Sequence, residues 1–238
     1  NTAVGNTAGG AVTTASGSVF IGSTAASTVT TGNMNIAIGY DAMNGATTTG
    51  DNNIAIGVSS GEALTSGYKN TFVGKGAGDS VNSGYYNVLL GSDAADAMST
   101  GFNNVVVGGG AGANDVSLTT GDYNVLLGAL ADTSISDAQN QIAIGYNAIG
   151  HGNNIAVIGD TNVTAWHPPD DAGVDLGSTS YRFANLYVAD MQLSNENTDG
   201  NEVDGTTGNW SIQEGEEDLY LLNRKSGKKY KFKLEEVT

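Results

Sequence analysis

The sequence predicts an all-β fold: a β-solenoid, or β-roll, of about ten 17-residue repeats, with a small β-rich module at its C-terminal side. Three observations lead there. A glycine closing a short apolar run recurs at Gly5, Gly22, Gly39, Gly57, Gly74, Gly91, Gly108, Gly128, Gly145 and Gly159, at intervals of 17, 17, 18, 17, 17, 17, 20, 17 and 14 residues. A fixed period of this kind is the signature of a repeat architecture. The apolar runs themselves are three residues long, as in Ile36-Ala37-Ile38 and Val88-Leu89-Leu90, and read as short strands. Finally, 35 glycines, 2 prolines, 7% aromatic and 14% charged residues leave few bulky side chains for a thick layered core.

The phases of the repeat justify each segment of a coil. Four residues before the closing glycine stands an asparagine, in Asn1, Asn35, Asn53, Asn70, Asn87, Asn104 and Asn124. Asparagines so placed are expected to hydrogen-bond one another and the backbone across coils. Seven before it stands Gly32, Gly50, Gly67, Gly84, Gly101 or Gly121, where the chain must turn or pass close to the next coil. Three after it stands an alanine in most copies, from Ala8 to Ala148, where stacked coils leave room for a methyl. One coil is therefore predicted as a strand ended by glycine, a turn, a second short extended segment, and a Thr-Gly turn back. The 20-residue step adds about three residues around Gly112 to Thr119, read as a longer surface loop. The 14-residue step into NNIAVIG (153–159) marks the end of the array.

Alternate residues of a strand point to opposite faces, and in these runs both faces are apolar. One face fills the interior of the coil. The other asks for cover that nothing else in the chain supplies, so the expected partner is further copies of the chain itself.

Residues 1–160 are thus predicted as the solenoid shaft, 161–207 as a connecting segment and 208–238 as a β-meander, with a composition break at His167-Pro168-Pro169-Asp170-Asp171. TSYRFANLYVADMQL (179–193) reads as strand, short helix or both. In the meander, Trp210 and Ile212 mark one strand and Asp218 to Leu222 a second. Arg224 to Gly227 make a turn, and Tyr230, Phe232 and Leu234 alternate with Lys229, Lys231 and Lys233. The lysines suit a guarded outer edge, or ion pairs with Glu214, Glu216 and Glu217.

The chain carries a net charge of −16, split evenly between the residues before Asp160 and those from it onward, although the latter stretch is half as long. Nucleic-acid binding needs lysine and arginine against phosphates, so no such partner is expected. There are no cysteines, and no apolar run long enough to span a membrane, so neither disulfides nor membrane insertion is predicted. The start at Asn1 falls in mid-pattern and reads as a piece of a longer or processed polypeptide.

Motifs that would carry chemistry dissolve into the repeat. GKGAGD (74–79) and GGGAGA (108–113) have their glycines at repeat phase, with no Gly-Lys-Ser/Thr and no helix to follow, so they are not phosphate loops. The Asp of GKGAGDS does not recur as a calcium repeat requires. His151 and His167 lack partners at metal-ligand spacing. No catalytic residue, cofactor or metal is expected. Trp166, Tyr181, Tyr187, Trp210 and Tyr220 are the candidates for sugar stacking and so for receptor contact, since aromatic faces suit the apolar faces of sugars, with packing in a core the competing and favoured role for them. Tyr40, Tyr68, Tyr85, Tyr86, Phe102 and Tyr146 flank repeat turns and rank second.

NTAVG and NIAIG, followed by small residues and alanine, resemble the head repeats of trimeric adhesins, whose Asn-Ser-Val-Ala-Ile-Gly motif builds a trimeric left-handed β-roll. The 17-residue form with T-G-x-x-N is more similar to arrays in bacteriophage tail fibres. DLGSTSYRFANLYVADMQLSN (175–195) and GNWSIQEGEEDLYLLNRKSGKKYKFKLEEV (208–237) resemble closing segments of fibre-like proteins of marine, cyanobacteria-infecting phages. The resemblance implies a homotrimeric, extracellular virion fibre, non-enzymatic, that joins other virion proteins and projects a surface towards a host receptor, a glycan among the candidates. A bacterial cell-surface trimeric adhesin is the alternative, although the charged closing strands do not resemble its membrane-anchoring barrel. A tailspike polysaccharide depolymerase fits less well, because shallow coils offer no evident groove for paired carboxylates.

Overall fold

A computed structural model describes residues 1–169, 175–196 and 200–233. The chain forms two compact units, Asn1–Thr164 and Ala165–Thr238.

The first unit is a β-solenoid of about nine turns. Ten three-residue strands, from β1 (Thr2–Val4) to β10 (Ala156–Ile158), lie in chain order in one parallel sheet. The register passes unshifted from coil to coil: Ala37 opposes Ala55, Ala55 opposes Phe72, and Phe72 opposes Leu89. Strand backbone groups are thus met by the coils on either side, which is why one coil alone would not persist.

Alternation along each strand sorts its three residues. The middle one points inward, and Phe20, Ala37, Ala55, Phe72, Leu89, Val106, Leu126 and Ala143 are all buried. The flanking pair points outward, half-buried or exposed, as in Ile36 and Ile38 or Val88 and Leu90. The closing glycines from Gly5 to Gly145 hold φ between 127° and 144°. A Cβ on Gly74 would lie 2.3 Å from the carbonyl oxygen of Gly91. The period of the sequence is therefore the period of close backbone contact between coils.

Past the closing glycine no second strand forms among the described residues, and isolated parallel bridges, Val29 with Thr48 and Asp132 with Ile149, are all the extended pairing found there. The chain runs instead through a ribbon of turns in which the second and fourth residues take positive φ, such as Asp41 (55°) with Met43 (54°) and Asp93 (56°) with Ala95 (46°). Turn bonds such as Leu64 N–H to Gly61 O (3.2 Å) fold the chain back within one short coil. The fourth residue's amide then reaches the next coil, as in Met43 to Ser60 (3.0 Å) and Gly78 to Ala94 (3.0 Å). Left-handed turns satisfy the backbone between coils here as a strand would, in less length.

Volumes inside the coils compensate. A Cβ on Gly61 or Gly78 would meet the Phe72 ring at 2.7 or 2.8 Å, so the large ring sits where both turn ribbons carry glycine. Met43, buried at the same phase, belongs to the coil whose strand carries only Ala37 at its centre. Leu64, Val81, Met98 and Leu118 complete the core on the far side.

The three extra residues of the 20-residue step form the expected loop, with Asn114 and Asp115 exposed. Its anchor is the buried Asp132, whose carboxylate accepts the amides of Asp115 (2.8 Å) and Val116 (2.9 Å).

The second unit contains a four-stranded antiparallel meander, β11 (Asp190–Ser194), β12 (Asn209–Glu214), β13 (Leu219–Asn223) and β14 (Lys229–Lys231). Its first strand lies inside the stretch read from sequence as a connecting segment, and residues 179–193 hold no helix. Leu234, Asp170 and Asp171 lie outside the described residues. Lys231 pairs with Asp218 (2.7 Å), whereas Glu214, Glu216 and Glu217 form no ion pair among the described residues. Asp218 lies just ahead of β13, whose Tyr220 opposes Lys231, so the register of the sheet selects it.

Candidate functional site

The asparagines form a continuous buried ladder. Asn70 shows its pattern: its Nδ2 donates to Asn53 Oδ1 (3.0 Å) and to the Gly84 carbonyl (2.8 Å). Its Oδ1 accepts from the amide (3.0 Å) and Nδ2 (3.1 Å) of Asn87. The same bonds run through Asn53, Asn87, Asn104 and Asn124, with Asn35 at the start of the run. All the polar capacity of these side chains is spent within the solenoid, so none is left to hold a ligand. Two rungs lie outside the asparagine pattern. Ser18 accepts the Asn35 amide (3.1 Å), and Gln141 donates its amide to Asn124 Oδ1 (2.9 Å). Residue type hid both, although each sits four residues before its closing glycine.

Gly39, Gly57, Gly74, Gly91, Gly108 and Gly128 are contact points between coils and face no open site. No buried side-chain nitrogen or oxygen among the described residues lacks a hydrogen-bond partner, and no cluster of three metal-ligating side chains occurs among them.

What the first unit offers to a partner is surface. The outward members of the ten strands make one mainly aliphatic face, to which the eight inner strands give Val19, Ile21, Ile36, Ile38, Ile54, Ile56, Val73, Val88, Leu90, Val105, Val107, Val125, Leu127, Ile142 and Ile144 in ranks, with Thr71 the polar exception among them. None of these fifteen is fully buried, and Ile56 is 37% exposed. The face would be about 45 Å long at the rise of stacked strands. Soluble monomers rarely expose a continuous apolar strip on this scale.

An acidic column lies along the turn ribbon, where Glu62, Asp79 and Asp96 occupy the same phase in successive coils. Burial, then the charges of Glu62, Asp96 and Asp93, push the Asp79 carboxyl above its ordinary range. Burial likewise raises Asp122 and Asp132, against backbone amides that hold each of them down.

The predicted receptor contacts are scattered. Trp166, Tyr181 and Tyr187 are exposed and outside any strand, and Tyr187 is 90% accessible. Trp210 and Tyr220 lie on β12 and β13 but on opposite faces, since Trp210 opposes Leu193 and Asn223 while Tyr220 opposes Gln213 and Lys231. Trp210 packs beside Tyr230, with ring centroids 5.9 Å apart, and lines an open cleft of about 640 Å³ with Asn195, Asn201, Asp204, Thr207 and Lys225. On the Trp210 face Met191, Leu193, Ile212, Leu221 and Tyr230 form a second apolar patch.

The second-ranked aromatics come together instead. Tyr68, Tyr85 and Phe102 stack in successive coils, with centroids 5.0 and 4.8 Å apart and ring planes within 5° of parallel. Tyr86 stands edgewise to Tyr68 and Tyr85, and Tyr123 to Phe102. Lys69 donates to the Tyr86 hydroxyl at 2.8 Å. Tyr40 and Tyr146 are exposed elsewhere on the coils.

No protein-family model matches the chain, and comparisons with curated proteins and with solved structures return no match.

Proposed function

We propose that this chain is a structural and adhesive fibre segment of a phage virion, assembled as a homotrimer and presenting a surface to a host receptor. The observation that carries the assembly is the aliphatic outer face of the solenoid, which the described residues of its own unit leave uncovered. Three copies turned towards a common axis would bury it while leaving the turn ribbons outside. The phage assignment rests on the repeat form and closing segments described above, and the activity proposed is mechanical, without catalysis. Acidic surfaces suit this role, since like charges on the outer ribbons keep fibres from associating side to side.

Sedimentation equilibrium of the purified chain tests the assembly: a mass three times that of the chain is expected, and a stable folded monomer would refute it. Release of reducing sugar from host polysaccharide by the same sample would overturn the non-enzymatic reading. A bacterial surface adhesin shares the proposed assembly, and labelling of purified virions, or of cell envelopes, with an antibody against the chain separates the two.

A further inference from the structure

We infer that the aromatic rank on the solenoid is a binding surface for a neutral carbohydrate polymer, distinct from the cleft beside Trp210. The inference rests on the adhesive reading above and gives it a location and a ligand class.

The solenoid does not need these rings. In the column of Tyr68, Tyr85 and Phe102, other coils carry a polar residue with a structural task. Asn33 accepts the Ser16 amide (3.0 Å), Asp51 the Asn33 amide (2.6 Å), Asp122 the Phe102 amide (3.0 Å) and Asn153 the Gln139 amide (2.9 Å). Three successive coils replace that hydrogen bond with stacked rings. The next column is more telling. All its residues take a left-handed conformation, and Asn52, Asn103, Asn140 and Asn154 (φ 52–62°) are the type that accepts it readily. Tyr86 (57°) and Tyr123 (60°) adopt the same strained backbone and set their rings against the rank, both largely exposed. Met34 and Lys69 share that conformation, so what sets Tyr86 and Tyr123 apart is that each adds an exposed ring edgewise to the stacked rank.

The chemistry of the surface selects the ligand. It runs as a strip of rings across successive coils, an arrangement suited to an extended ligand. Its rings offer apolar contact, and its phenolic hydroxyls, the Lys69 ammonium and the Asp51 and Asp122 carboxylates offer donors and acceptors at the margins. That mixture fits sugar rings, which carry C–H faces and hydroxyl edges. Lys69 and Lys75 are the only basic residues before Asp160, and the chain carries −16, so a polyanion would be repelled. A polymer lying across several coils can combine contacts that are weak singly.

The test is affinity electrophoresis of the full chain in gels containing dextran, yeast mannan or barley β-glucan, with alginate as the anionic control. Two variants accompany it. Tyr86→Asn with Tyr123→Asn installs the residue that neighbouring coils already carry, so its melting temperature should hold or rise. Trp210→Ala alters only the second unit. We expect the wild type to be retarded by at least one neutral polymer and not by alginate. The double variant should need about tenfold more polymer for the same retardation, while Trp210→Ala stays like the wild type. Equal retardation of wild type and double variant, or loss in Trp210→Ala alone, would remove the site from the rank while leaving the adhesive reading in place. A wild type that sediments as a trimer yet binds no neutral polymer overturns this inference without touching the assembly. A double variant that melts lower and binds normally makes the rank a structural stack only.

Discussion

Asn70 and Met34 mark the two extremes of what one residue does in this coil. Asn70 is buried and makes four side-chain hydrogen bonds to three residues. Asn70→Ala removes the acceptor of the Asn87 amide and the donor to the Gly84 carbonyl, while Asn53 Oδ1 keeps the Asn70 backbone amide (3.0 Å). Losses of this kind cost about 1–3 kcal/mol for each buried group left without a partner. A total of about 2–5 kcal/mol is expected in urea unfolding of the purified chain, and a change below about 1 kcal/mol would mean the ladder is not stabilising. Met34 is exposed and held at φ 55°, in the column where other coils carry asparagine. Met34→Asn should therefore stabilise the solenoid, by about 1 kcal/mol from relief of left-handed strain. The asparagine ladder was legible from spacing alone, because identical residues recurred at one phase. The left-handed column was not, since Met34, Lys69, Tyr86 and Tyr123 carry no glycine or asparagine to announce it. The stacked rings were visible only as neighbours of turns, because stacking depends on which column a residue enters and not on its type.

At the scale of the coil, the closing glycine and the turn ribbon are separate devices. A Cβ on Gly91 would lie 2.3 Å from the Gly108 oxygen, in a backbone conformation that L-residues rarely adopt. Gly91→Ala must push neighbouring coils apart or break register, and loss of cooperative unfolding in the melting curve is expected. The apolar triads made the strand side readable in the sequence. The ribbon side looked extended, because small polar residues at positive φ leave no periodic mark. The ribbon also carries the acidic column, and this gives the coil a pH dependence. Burial and like charges raise Asp79 in the folded state above its unfolded value, so the folded form holds the proton more tightly. The stabilisation this brings is fully present below the unfolded carboxyl value of about 3.9 and is lost as pH rises through the folded value. Melting temperature should therefore climb as pH falls from about 7 towards about 4. Asp79→Asn should raise the value at neutral pH and flatten the slope, and an unchanged slope would mean that other groups set it.

The whole molecule joins two units of different legibility. The solenoid's period, strand positions and inward and outward faces followed from one repeated pattern, whereas the meander has no second copy to align against. Its strand β11 passed for a connecting segment because Asp190 to Ser194 alternates weakly and pairs only with strands that come later in the chain. The largest consequence at this scale concerns the outward face. Leu89 and Leu90 are adjacent and chemically identical, but Leu89 is buried in the coil and Leu90 points out. Leu89→Asp should prevent the solenoid from folding, since a carboxylate would enter a core with no partner for it. Leu90→Asp, or Ile56→Asp on the same face, should leave the circular dichroism of the coil intact and lower the sedimenting mass from that of the proposed trimer to that of a monomer. Salt offers an independent reading, because every copy carries −16 and repulsion between copies opposes the contact. Raising sodium chloride from about 0.05 to about 0.5 M, which shortens the screening length several-fold, should strengthen association of the wild type. It should not rescue Leu90→Asp, whose defect is a carboxylate that must be desolvated in an apolar contact. Identical masses for both outward variants and the wild type would show that the aliphatic face is covered by something other than a second copy.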